Sequence, residues 1–339
     1  MTFSIVILNI YILFLFLKRG TMALASSDRR KSSSLFQSSA GSSSRRKDDH
    51  LLHAIVASVV FMAIWTPYRY VTPFVISKGI SILVLDSFVK PAVKIGIVFS
   101  CLRFLDEVPK GRYLEELGVK REGLVRGIIL GTLSWFSYTS VWQYSALCVL
   151  RRRISFPSFR LTVHDLSEYF TELCFYILIV GFFEEILARG YIFRELYRGI
   201  KWKFNLISSL LVTGCIFSLF HVPIDVFVSR MGGGQLAFHL LFVFSFSILA
   251  GFLFFRSGWQ IVSVTIFHGL MDTTPFFSLL PPDVQLGGAE GLTISYFLSF
   301  TTSALVIEIM HRAMGRIKPS EGRVMSSSSA PTFLLSSVS

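Results

Sequence analysis

Charge is scarce in this chain. Asp, Glu, Lys and Arg together make up 16% of its 339 residues, where a soluble domain carries about a quarter. Acidic residues are the scarcer sign, 21 against 33 Lys and Arg, for a net charge of +12. The four cysteines (Cys101, Cys148, Cys174 and Cys215) all lie in apolar segments without a CxxC pair. That argues against a zinc knuckle and a disulfide framework and leaves structural thiols. GxSxG is absent, which removes the usual serine-nucleophile signature, and HExxH is absent, which removes the usual metalloprotease helix. A GD or YD pair for an aspartyl dyad is missing too, and neither an internal repeat nor an interdomain linker is visible.

What fills the chain instead is apolar: 52% hydrophobic residues, 34 of them Phe, and a mean hydropathy of +0.60. Apolar runs recur at close to the ~20 residues that cross a hydrocarbon core of ~30 Å. The alternating segments of a β-barrel are missing, so the expected fold class is all-α: a polytopic transmembrane helical bundle of about eight spans with a polar catalytic cavity inside. The spans fall near residues 51–76, 86–105, 124–149, 167–190, 204–222, 236–255, 259–279 and 292–311. Pro67 and Pro73 are expected to kink or end the first. Residues 106–122 carry both signs of charge, and Leu114, Leu117 and Val119 suit them to lie along the interface.

Outside the bundle (51–315), two tails are expected. Met1 to Leu17 is apolar but short, and residues 1–21 read as a signal-anchor, a marginal extra span or the product of a misplaced start codon ahead of Met22. Ser26 to His50 and residues 316–339 have the composition of disordered tails. The basic residues sit mainly between apolar runs, as the positive-inside rule requires, which places both termini in the cytoplasm. Arg151, Arg152, Arg153 and Arg160 break that pattern. Nothing resembles an aromatic-interleaved basic face for nucleic acid.

Polar side chains interrupt the apolar runs at three places. Glu184, Glu185 and Arg189 follow the apolar run 173–180. Glu185 and Arg189 are four apart on one helical face, which suits a salt bridge. Glu184 points about 100° away without that partner, which marks it as the chemical candidate, although all three charges would also serve simply to lock helices together. The second place is Phe217 and His221, before Pro223; the third is His268 and Asp272, again four apart. Either histidine alone is more often a packing residue. At 1.5 Å per residue, however, hairpins near Trp202, Met231 and Ser257 bring Glu184, His221 and His268 to within about two turns of one depth. Such groups are expensive in lipid unless they enclose a cavity.

These motifs, EExxxR at Glu184, Glu185 and Arg189, FxxxH at Phe217 and His221, and HxxxD at His268 and Asp272, resemble in that order the CAAX prenyl protease type II family. That family also takes in the bacterial bacteriocin-processing and immunity proteins called CPBP or Abi. The resemblance runs from about Leu166 to Leu279. It implies an intramembrane endopeptidase whose prenyl-processing members remove the last three residues of a lipidated CAAX C-terminus, so its partners would be membrane lipid and a lipidated protein C-terminus or membrane peptide. It also implies roles: Glu184 as base, His221 holding the water, His268 with position 272 stabilising the oxyanion, and Glu185, Arg189 and Phe217 in support. Donors aimed at an oxyanion in a dry site contribute about 2.7–4 kcal/mol each. Asp272 departs from the Asn of the prenyl-processing pattern, and an Asp donates a hydrogen bond only when protonated. A metal-free glutamate mechanism is the favoured expectation. The alternative is zinc held by Glu184, His221, His268 and Asp272. A non-proteolytic immunity or scaffold protein on the same fold is the competing class, and a proton-coupled transporter, which would show inverted repeats, is a third.

Overall fold

The computed structural model describes residues 49–79, 81–149, 158–159, 165–200, 204–273, 277–278 and 289–316. The expectations for residues 1–48, for the 317–339 tail and for the arginines at 151–153 and 160 fall outside these. The helices, in chain order, are α1 (Asp49–Ser77), α2 (Ile82–Phe104), α3 (Leu124–Val149), α4 (165–199), α5 (Asn205–Pro223), α6 (Gly233–Arg256), α7 (Ile261–Asp272) and α8 (Ala289–Arg316). α5 runs on through a π-helical turn, Ile224–Val228. The all-helical expectation meets one small exception, an antiparallel pairing of Ser158–Phe159 with Phe277–Ser278.

Three helices, α1, α5 with its extension, and α6, are long and apolar enough to cross a membrane, which supports a multi-pass integral membrane protein but not specifically eight spans. The physical reason is that several other helices spend their polar residues inside the bundle. α2 carries Asp86, Lys90 and Lys94, and α4 carries both glutamates and Arg189.

α4 is the axis of the bundle. Residues Ile186–Phe193 are buried all round, as expected of a helix enclosed by others, and α1, α2, α5, α6 and α7 all pack against it, while α3 and α8 pair on the outside beside α6 and α7. α4 is not uniform. π-helical stretches at Tyr176–Gly181 and Ile186–Phe193 flank one α-helical turn, Phe182–Glu185. π-turns break the 3.6-residue register and gather at functional sites; here they frame the two glutamates.

Three expectations need correction. α1 continues through Pro67 and Pro73 to Ser77, since helices enclosed by neighbours tolerate proline. α7 stops at Asp272, seven residues short of 279: Thr273 is already extended, and Pro275 disfavours helix in the residue before it. Gly233 and Gly234 open α6. The 106–122 segment does not simply lie along the interface: Tyr113 and Leu117 are buried in the core, and the Leu117 carbonyl lies 3.0 Å from where a Cβ on Gly190 would stand.

Candidate active site

Backbone contact between α4 and α7 sets the geometry. A Cβ on Gly269 would stand 2.5 Å from Ile177 Cγ1 and 2.6 Å from Ile177 Cα, and one on Gly181 would stand 3.0 Å from the Thr265 carbonyl oxygen. Only glycine at 269 lets the helices approach this closely. The next residue back, His268, therefore reaches the glutamates.

The two adjacent carboxylates have separate partners. Arg189 Nη1 donates to Glu185 Oε1 at 2.9 Å, the expected pair, and both side chains are fully buried. His268 Nδ1 donates to the same oxygen at 2.6 Å. His268 Nε2 then faces Asp272 Oδ2 at 3.4 Å and Glu184 Oε2 at 3.9 Å. Two carboxylate oxygens beside Nε2 favour a proton on that nitrogen as well as on Nδ1.

Glu184 is not without a partner, as its helical angle suggested. Lys94 Nζ donates to its Oε1 at 2.8 Å, and Lys90 Nζ lies 3.6 Å from that oxygen and 3.6 Å from Asp86 Oδ2. Arg69 and Tyr68 of α1 bind Asp86 at 2.9 and 2.6 Å. Sequence reasoning missed these lysines, although Asp86, Lys90 and Lys94 recur every four residues within an apolar span, a costly pattern in lipid.

Phe217 joins the motifs. Its carbonyl accepts from His221 Nδ1 at 2.9 Å, leaving His221 Nε2 as the remaining ring nitrogen. Its ring lies 4.3 Å below the Arg189 guanidinium, a cation–π contact. His239, near the start of α6, binds Asp225 Oδ2 at 2.8 Å and lines the site.

Glu184, His221, His268 and Asp272 all border one cavity of about 350 Å³, together with Lys90, Asp86 and His239. A smaller space of about 60 Å³ adjoins it, and Glu184, His221, Phe217, Lys90 and Ile224 border both. A water needs about 10–15 Å³ and two to four polar partners, so both spaces are large enough to hold water beside Glu184. Among the phenylalanines, Phe217 borders both spaces and Phe220 the smaller, while Phe182 packs against the core.

A cluster of residues able to hold a metal ion is present, but not at the residues of the zinc alternative. Among the described residues, donor atoms of His50, His53, Asp106 and Glu195 all lie within 4.8 Å of one another; none of these is Glu184, His221, His268 or Asp272.

No curated protein matches the chain. Residues 167–274, about a third of the chain, match the family model described as type II CAAX prenyl endopeptidase, Rce1-like. The matched segment begins in α4, ends just past α7 and contains all three motifs. With the buried acidic and imidazole side chains, the match is consistent with an intramembrane hydrolase family.

Proposed function

We propose that the chain is an intramembrane endopeptidase of the CAAX prenyl protease type, hydrolysing a peptide bond near the C-terminus of a lipidated or membrane-associated protein. The observation that carries this reading is the division of labour at Glu184. Lys94 occupies Oε1, so Oε2 is left toward His268 and the cavity. A water between Oε2 and His221 Nε2 gives its proton to Glu184 as its oxygen bonds to the scissile carbonyl carbon. The oxyanion accepts from His268 Nε2–H, whose ring is aimed by Glu185. Glu184 then returns the proton to the leaving amine as the C–N bond breaks, so one water is consumed and an acid and an amine are released.

In this mechanism Asp272 holds the His268 imidazolium and donates nothing to the oxyanion. A lipidated chain would reach the site by diffusing in the bilayer plane, and the eight helices would then each cross or enter the membrane with both termini cytoplasmic. The test is cleavage of a lipidated CAAX peptide by purified full-length protein, read by mass spectrometry with and without chelator. Glu184→Ala and His221→Ala are expected to abolish cleavage. Cleavage by both variants at the wild-type rate overturns the assignment, and a wild type inert toward lipidated and unlipidated peptides alike favours the non-proteolytic class.

A further inference from the structure

Outside the active site, the chain gathers a second set of polar side chains around the far end of α4. Glu195 lies eleven residues beyond Glu184, about 15 Å along the helix. His50 and His53 come from the first turns of α1, and Asp106 from the turn after α2. His50 Nδ1 meets Glu195 Oε2 at 2.6 Å and His53 Nδ1 meets Asp106 Oδ1 at 2.7 Å. All four donor atoms lie within 4.8 Å of one another. Two ordinary histidine–carboxylate hydrogen bonds account for the pairs but not for what surrounds them. Asp106 is nine-tenths buried, and its Oδ2 is left with only the buried Tyr191 hydroxyl beside it, which stands outside good hydrogen-bond geometry but still acts on the carboxyl. A buried carboxylate satisfied poorly at one oxygen is costly, and a cation bound at the cluster would neutralise its charge.

We infer that His50, His53, Asp106 and Glu195 form a structural site for a divalent transition metal of the zinc class. Two imidazoles and two carboxylates are a zinc-type donor set, whereas magnesium and calcium prefer all-oxygen shells of six or more ligands. Tetrahedral coordination with bonds of 2.0–2.2 Å puts neighbouring donors about 3.4 Å apart. Binding therefore opens each hydrogen-bonded pair by less than an ångström and draws the two pairs together. Each imidazole binds the ion as a neutral ring through Nδ1, so the proton displaced from Nδ1 is balanced by one on Nε2, exchanged through solvent. Arg198 already donates to the other oxygen of Glu195 at 2.9 Å and so fixes that carboxylate's orientation. The ion would tie α1, the end of α2 and α4 at one point, and α2 and α4 are the helices that bring Lys94 to Glu184.

The test is metal analysis of the full-length protein, purified in detergent after growth with zinc sulfate and exchanged into metal-free buffer. One zinc per chain is expected in the wild type and in Glu184→Gln, and loss to background in His53→Ala. Asp106→Asn keeps the side chain's size and a hydrogen bond to His53, so it guards against a folding artefact and is also expected to lose the ion. Added zinc should raise the Tm of the metal-stripped wild type and leave that of Asp106→Asn unchanged. A wild type without stoichiometric zinc, or either cluster variant retaining it, overturns the inference. These readouts need no substrate, so they stand or fall separately from the peptidase reading.

Discussion

The ion pair between Lys94 and Glu184 offers the sharpest test of the site. Lys94→Met removes the ammonium at 2.8 Å and leaves a carboxylate whose side chain is 12% exposed facing Lys90 at 3.6 Å and His268 at 3.9 Å. Removing one partner of a buried pair costs about 3–5 kcal/mol, and the nearby Lys90 puts the expectation at the lower end, about 3 kcal/mol. Glu184→Gln strands the Lys94 ammonium, 3% exposed, at a similar cost of about 3 kcal/mol. If the two groups hold each other, Lys94→Met with Glu184→Gln costs less than the sum by about 2 kcal/mol or more. The assay is denaturation of the purified full-length protein in mixed micelles, with all four proteins in one lipid composition. Additivity within about 0.5 kcal/mol refutes the contact. In cleavage, Lys94→Met frees Oε1 to rotate, and a carboxylate misplaced by about 1 Å is expected to lower kcat roughly 10²-fold. Cleavage unchanged in Lys94→Met would remove the lysine from the mechanism.

Other perturbations separate the remaining parts. Gly269→Val puts carbon within 2.6 Å of the Ile177 backbone, so it should push α7 from α4 and cost activity while the protein still inserts in membranes; full activity would refute glycine-limited packing. Glu185→Gln removes the anion that holds His268 Nδ1 and Arg189; kcat should fall about 10²- to 10³-fold with KM little changed, as for loss of a group acting in the transition state, and a purely KM effect would contradict the role of His268. At the end of α4, burial pushes the Glu116 carboxyl up, but the hydrogen bond and charge of Arg198 outweigh it and hold it below its ordinary 4.5. A carboxyl with a depressed folded value stabilises the protein above its unfolded value and loses that contribution as pH falls through the folded one. Arg198→Gln should therefore flatten the fall in Tm on acidification below about pH 4.5; an unaltered acid limb would remove the pair from the account.

The helices were legible because their signal is compositional: long apolar runs, and gaps where charge returns. The three motifs were legible because charge inside such a run is rare enough to stand out. Their meeting in one cavity followed from counting residues back from each turn. What stayed hidden depended on contacts between distant segments. Lys90 and Lys94 were visible as charges, but nothing local says that their face of α2 turns toward Glu184. The π-turns of α4 have no periodic signature of their own. The second partner of Glu185 depends on how far α7 approaches, and that distance is set by a Cβ missing at Gly269. The His50, His53, Asp106 and Glu195 cluster joins positions up to 145 residues apart in sequence, with no spacing rule to connect them.

Adjacent glutamates with different surroundings explain how one short motif can carry both structure and chemistry. A turn of 100° separates successive side chains, so Glu184 and Glu185 cannot share a neighbour set. Glu185 looks inward, where Arg189 and His268 both donate to one oxygen and solvent is excluded. Its charge is used up in fixing two side chains. Glu184 looks across to α2 and the cavity, where one oxygen is held and the other meets open space. A base has to be anchored yet retain a free lone pair, and Glu184 is the carboxylate of the two that has both. In the proposed mechanism the order of the motifs follows from the order of the helices: α4 supplies the base and the anchor for His268, α5 the water-side imidazole, and α7 the donor. Exchanging the two environments would require rotating α4 about its axis, which the glycine contacts with α7 forbid.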